Sequence, residues 1–190
     1  MPKIVVWVVV AMGSDEEQFY VVDEDDNVLG HASRSECHSK GLIHRSVHVI
    51  VVNDKGEVFL QKRSMKKDLY PGYYTCSATG HVEYGESYEE AARRELMEEL
   101  GIEASLKKIC KFRCFSDIER EITALFVCSH NGPFRLNSDE VSGGEFVSSD
   151  GIRKILESGE KKFAYGAVLA LKVFLKHVEG SHISGFSSQP

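Results

Sequence analysis

Glu95, Glu98 and Glu99 crowd the end of the stretch "GHVEYGESYEEAARRELMEELGI", residues 80–102. On a helix turning by about 100° per residue they fall within an arc of about 100°. Neither Glu95 nor Glu99 has a cation three or four residues further on, and as an i,i+4 pair they repel by a few tenths of a kcal/mol. Glu98 has only Arg94 behind it, in the weaker order. Converging carboxylates with open volume above them, which the small Ala91 is expected to leave, are what Mg2+ or Mn2+ accepts, with waters and phosphate oxygens completing the shell. A divalent cation relieves the repulsion. A glutamate-rich helix is otherwise a solvated face stitched by ion pairs, and Glu89 with Arg93 and Glu90 with Arg94 fit that role.

These acids need a rigid carrier. Ser87 with Glu90 forms a capping box that starts a helix, and Gly101 supplies the left-handed position that ends it. Tyr88, Ala92, Leu96 and Leu100 share the sector that packs on a sheet. Upstream, "FYVVDEDDNVLGHAS" predicts two short strands around an Asp-Asp-Asn turn, and "SVHVIVVNDKGEVFLQKR" a hairpin turning at Asn53–Gly56. "YPGYYTCSAT" is an extended segment after a Pro-Gly turn. Downstream, "SLKKICKFRCFS", "REITALFVCSH" and "GGEFVSS" predict strands, while "GIRKILESG" and "AYGAVLALKVFLKHVEG" have helical spacing. Strands and helices interleave without strict βαβ alternation, which predicts a mixed sheet with helices on its faces.

A chain of 190 residues suffices for one sizeable core, and 42% hydrophobic with 27% charged residues excludes a disordered chain. The net charge of −6 argues against a nucleic-acid polymer or an anionic membrane as partner, although a local basic patch can still hold a small anion. Cys37, Cys76, Cys110, Cys114 and Cys128 are odd in number and form no CxxC pair. A reducing cytoplasm fits best. Residues 1–16 form an N-terminal extension, either a strand or vector-derived sequence. Its apolar run is about half a membrane span and offers an edge for pairing into a homodimer. Residues 17–180 are expected to form one domain and residues 181–190 a flexible tail.

Gly80, Glu86 and the run Arg94-Glu95-Leu96-Met97-Glu98-Glu99-Leu100-Gly101-Ile102 resemble the signature of the Nudix hydrolases at every defined position. The resemblance implies an α/β/α sandwich around a mixed β-sheet. It implies that Glu95, Glu98 and Glu99 are metal ligands, with Gly80 where the loop backbone approaches the metal. Glu86, Arg94 and Gly101 would be structural members of the box. Hydrolysis of a diphosphate needs metals to neutralise charge and acidify a bound water, and a carboxylate to take the proton. Glu98, Glu99 and Glu121 are the candidates for that base, with Glu119 to be tested beside Glu121.

A second resemblance, carried by "VVDEDDNVLGHASRSECHSKGLIHR" and "GEVFLQKRSMKKDLYPGYYTCSATGH", is to the type I isopentenyl-diphosphate isomerases and their hydrolase relatives. It implies a second metal site of His38, His44, His81, Glu119 and Glu121, a donor set that suits Zn2+ or Mn2+ better than Mg2+. His31, His48, His130, His177 and His182 have no counterpart and are expected to be structural or exposed. Arg63, Lys67 and Arg34 lie where that frame contacts a diphosphate, and the run Lys62–Lys67 would supply donors for phosphate oxygens. The isomerase reading requires a thiol before the first box glycine, where this chain has Thr79. Cys76, at an odd spacing, faces the other way in an extended segment. The isomerase tryptophan is also missing near Phe163 and Tyr165. The expected activity is therefore hydrolysis of a nucleoside diphosphate or related small diphosphate, with isomerase and non-catalytic nucleotide sensor as alternatives.

Overall fold

A computed structural model describes residues 17–184. The expected N-terminal extension, with its proposed dimer edge, and residues 185–190 of the expected tail lie outside the described residues. In chain order the elements are β1 (Gln18–Val22), β2 (Val28–Ser33), α1 (Arg34–Lys40), β3 (His44–Val52), β4 (Val58–Arg63), β5 (Tyr74–Thr75) and β6 (Ala78–His81). Next come α2 (Tyr88–Glu95), a π-helical turn (Leu96–Leu100), β7 (Lys107–Phe115), β8 (Arg120–Ser129), β9 (Val141–Val147), α3 (Ser149–Ser158) and α4 (Tyr165–Ser184).

Both expected hairpins form, each closed by a turn side chain. Asp23 Oδ1 accepts from the backbone N–H groups of Asp25 and Asn27, both at 2.9 Å. Asn53 Oδ1 does the same for Lys55 and Glu57. The first hairpin is then tied down, because the Asp26 carboxylate accepts from Arg45 Nε at 2.7 Å and from the Tyr88 hydroxyl at 3.1 Å. That fixes the hairpin tip against the start of α2.

Strand β3 sets the register of everything else. It runs parallel to β8, with His44 opposite Glu121, and antiparallel to β6, with Ser46 opposite His81 and His48 opposite Thr79. One face of the sheet buries Val47, Val49, Ala124 and Phe126 beneath Ala92, Leu96 and Leu100. The other buries Ile50, Leu60 and Leu125 beneath Ile152 of α3 and Ala167, Leu171 and Phe174 of α4. Each fully buried Leu or Phe contributes roughly 1.5–3 kcal/mol. Helices on both faces of a mixed sheet, as the element pattern predicts, give the α/β/α sandwich that the resemblance implies. Among the described residues no helix is long and apolar enough to cross a membrane.

Three elements differ from expectation. Helix α1, capped by Ser33 Oγ accepting from Glu36 N at 3.3 Å, stands where the sequence reading assigns no element. Helix α4 continues to Ser184, so the first residues of the expected tail are helical. The box helix is not α-helical to its end: from Leu96 it widens into a π-turn, closed by Gly101 at φ 65°. Such insertions are frequent at functional sites.

Candidate active site

The first wall of the cleft is built on α2. Its capping box is complete, with Ser87 Oγ accepting from Glu90 N at 3.3 Å and Glu90 Oε2 accepting from Ser87 N at 2.8 Å. Glu90 is thereby committed to the helix start, and the expected Glu90–Arg94 pair does not form. Arg94 instead spreads its guanidinium over the loop and the acids. Its Nε donates to Glu86 Oε1 at 2.8 Å and its Nη2 to the His81 carbonyl at 2.9 Å, while Nη1 reaches Glu95 Oε1 at 2.7 Å and Glu98 Oε2 at 3.2 Å. The Glu89–Arg93 pair forms as expected, at 2.6 Å on the exposed face.

Glu95 and Glu99 are buried, whereas Glu98 is exposed. A Cβ on residue 80 would overlap the Glu95 carboxylate, so a larger residue there would displace that acid. Glu99 turns toward β6, where its Oε2 accepts from Thr79 N at 3.0 Å. Burial and the neighbouring charge of Glu99 push the Glu95 carboxyl well above the usual range, against the pull of Arg94. Burial pushes Glu99 up to about 7, opposed by the Thr79 N–H, the Gln61 amide and the charge of Arg63. Ala91 does not open the space expected of it: it is fully buried in the core beneath α2.

The second wall is assembled by strand register. Pairing of β3 with β8 and β6 brings Glu121 Oε1 to 3.7 Å from His44 Nε2 and 3.4 Å from His81 Nε2. His38 closes the group from α1, and one ligand atom each of His38, His44 and His81 lies within 4.8 Å of the others. Phe19 stacks on His81 with ring centroids 4.4 Å apart. His44 Nδ1 sits 2.9 Å from the Leu42 carbonyl, to which it can only donate. In the neutral ring that burial favours, Nε2 is then left as a bare acceptor. The buried Nε2 atoms of His38 and His44 have no hydrogen-bond partner among the described residues. Burial would raise Glu121, but the hydrogen bond and charge offered by His81 hold it far below the usual carboxylate range. Glu119 is pushed up to about 7 by burial and by Glu121, and accepts from the Tyr70 hydroxyl at 3.1 Å.

Residues 42–165 match the model of the NUDIX domain. The chain belongs to the Nudix hydrolase family. It is 34% identical to an uncharacterized Nudix hydrolase of Pseudomonas aeruginosa over 85% of this chain and 95% of that protein. It is also 34% identical to an isopentenyl-diphosphate Delta-isomerase of Photorhabdus laumondii, over 75% of this chain and 84% of the isomerase. The solved structure of a Deinococcus radiodurans protein, 27% identical, superposes with a TM-score of 0.71 over 83% of this chain and 99% of that one. Nudix hydrolases generally use divalent metals such as Mg2+ or Mn2+.

In this Nudix fold Glu95, Glu98, Glu99, His81, Glu119, Glu121 and the three expected basic residues line one cleft of about 220 Å3, whereas His44 is buried behind its surface and His38 lines a neighbouring depression with Arg34 and Asp68. Arg63 Nε donates to the Leu69 carbonyl at 3.1 Å, Lys67 pairs with Glu140, and Arg34 bridges Glu17 and Asp68. Glu86, Arg94 and Gly101 hold the box together as a scaffold. Sequence reasoning missed two residues of the cleft, His48 and Tyr70. His48, assigned no part, lines the cleft with its Nδ1 3.4 Å from Cys76 Sγ. Counting by twos along β3 from His44 would have placed it on the same face. Tyr70 carries no such signal.

Proposed function

We propose that this Nudix protein is a divalent-metal-dependent hydrolase that cleaves the diphosphate linkage of a nucleoside diphosphate or related small diphosphate. The observation that carries the reading is the burial of Glu95 against Gly80 and of Glu99 against the Thr79 N–H, both raised above the usual carboxylate range. Such acids are costly until a cation joins them. Bound among them, Mg2+ or Mn2+ would polarise the P–O bond and acidify a water.

The chain's own residues then divide the work. Glu95, Glu98, Glu99 and the Gly80 backbone hold the cation, and Arg94, braced by Glu86, keeps the acids aligned. Arg63, Lys67 and Arg34 take the diphosphate oxygens, exchanging their present carbonyl and carboxylate partners for charge-assisted bonds. Glu98, Glu99 and Glu121 are the proton acceptors to test. Glu98 reaches solvent and is held only by Arg94 Nη1 at 3.2 Å, whereas Glu121, stabilised as an anion by His81, is a weak base. His38, His44, His81, Glu119 and Glu121 form a second site for Mn2+ or Zn2+, supported by the orphaned imidazole nitrogens.

We further take residues 17–180 as a single Nudix domain, acting in the cytoplasm on a small molecule rather than on a nucleic-acid polymer or a membrane. Homodimer formation belongs to the same proposal. The histidine cluster and the isomerase relatives favour a second reading, isopentenyl-diphosphate isomerisation. Against it, Thr79 rather than a thiol precedes Gly80, and Cys76 is fully buried against His48. A screen with Mg2+ or Mn2+ over nucleoside diphosphates, nucleotide sugars, dinucleotides and isoprenoid diphosphates is expected to release phosphate or a monophosphate. Conversion of isopentenyl diphosphate without phosphate release, or no turnover at all, contradicts the proposal.

A further inference from the structure

Gln61 is fully buried on β4, and neither its Oε1 nor its Nε2 has a hydrogen-bond partner among the described residues. The strand itself is satisfied: at this position β4 is paired with Thr75 on one side and Gly144 on the other. The anomaly therefore belongs to the side chain. An unpartnered buried amide is costly, and an apolar residue of the same shape would remove that cost. A site that keeps the amide regardless has a use for it in some other state.

The surroundings say which state. Phe59, two residues earlier and on the same face of β4, packs into the core beneath α2 and the π-turn. Gln61 points to that side, where Glu99 descends from the π-turn. Two of the three handles on Glu99 are already taken: its carbonyl accepts from Asn137 N at 3.1 Å and its Oε2 from Thr79 N at 3.0 Å. The segment 134–140 joins the two residues: Phe134 packs on Phe59 with ring centroids 4.4 Å apart, Asn137 N donates to the Glu99 carbonyl, and Ser64 N donates to the Glu140 carbonyl, so Gln61, between Phe59 and Ser64 on β4, is brought toward Glu99 without a hydrogen bond of its own.

We propose that Gln61 is a positioning residue for Glu99: its Nε2–H donates to the Glu99 carboxylate once a cation is bound, fixing which oxygen faces the cleft. The inference rests on the reading of Glu99 as a metal ligand. It explains why a fully buried polar side chain stands between the apolar core and the acidic wall. It also predicts an unusual pairing of effects, in which one substitution improves the fold and damages the site.

The test uses Gln61→Met, which keeps the length and removes both polar atoms, with Gln61→Leu as a second variant. The expected result is a Tm of the metal-free protein that is unchanged or higher. Calorimetric Mn2+ affinity falls by about 10–100-fold, as for loss of other outer-shell partners of a ligand. For a turned-over diphosphate, kcat falls by a similar factor and KM stays near the wild-type value. In a Glu99→Gln background, Gln61→Met has no further effect on Mn2+ affinity. A lowered Tm with unchanged Mn2+ affinity makes Gln61 a packing residue and overturns the proposal. Wild-type Mn2+ affinity that does not depend on Glu99 overturns the underlying reading as well. A Glu99-dependent site that Gln61→Met leaves intact overturns this inference alone.

Discussion

Glu99 and Glu121 face one cleft from opposite walls and are similarly buried, at 3% and 6% exposure, but burial ends differently for the two. Glu121 faces two imidazoles and is held far below the ordinary carboxylate range, chiefly by His81. Glu99 receives one backbone N–H and is pushed up to about 7. Beside it, Glu95 has Arg94, a cation that also serves Glu86 and Glu98. The difference teaches that position in a cleft does not decide the state of an acid. The neighbours do. One wall stores uncompensated negative charge; the other balances its acid internally and leaves bare imidazole nitrogens.

The sharpest way to break this contrast is activity. Glu98→Gln and Glu99→Gln should each lower metal-dependent turnover by about 10²–10⁴-fold, measured as phosphate or monophosphate release. Wild-type rates in both would remove the glutamate wall from the chemistry.

Stability separates the walls by sign. Glu121→Gln, which breaks a buried acid–imidazole group, should destabilise the metal-free protein by about 3 kcal/mol. Glu99→Gln should raise stability by about 1–2 kcal/mol above neutral pH, because it removes a charge that folding disfavours. Thermal denaturation without metal checks both, and equal signs would erase the contrast.

Arg63 sharpens the comparison from between the walls, since its charge lowers both Glu99 and Glu119. If it anchors the diphosphate, Arg63→Ala raises KM about tenfold with little change in kcat. An unchanged KM makes it a solvated strand end. The smallest effect belongs to the exposed Glu89–Arg93 pair, where Arg93→Ala should cost no more than about 0.5 kcal/mol and leave turnover alone.

Local features of the fold were legible in the sequence because they depend on nearby residues. The capping box at Ser87 and Glu90, the left-handed Gly101 and the turn at Asn53 are of this kind. What depends on register or on neighbours distant in the chain was not. No spacing rule shows that β3 runs parallel to β8, yet this alone brings His44 to Glu121. The π-turn at Leu96 conflicts with the even helical period used to place the three acids, and the same period cannot show that Ala91 faces core rather than cleft. Arg94 lay within reach of Glu90 by helical spacing, but a loop acid, Glu86, and the His81 carbonyl compete better. Helix α1 was missed because its seven polar-rich residues bury only Cys37 and show no apolar stripe.

The central claim is that Glu95, Glu98 and Glu99 trap a divalent cation, and its most direct test is calorimetric titration of Mg2+, which the histidine site does not favour, into the wild-type protein and into Glu95→Gln and Glu99→Gln. The account predicts uptake by the wild type that either substitution abolishes or weakens at least tenfold. Equal uptake by all three proteins, or none by the wild type, would contradict it.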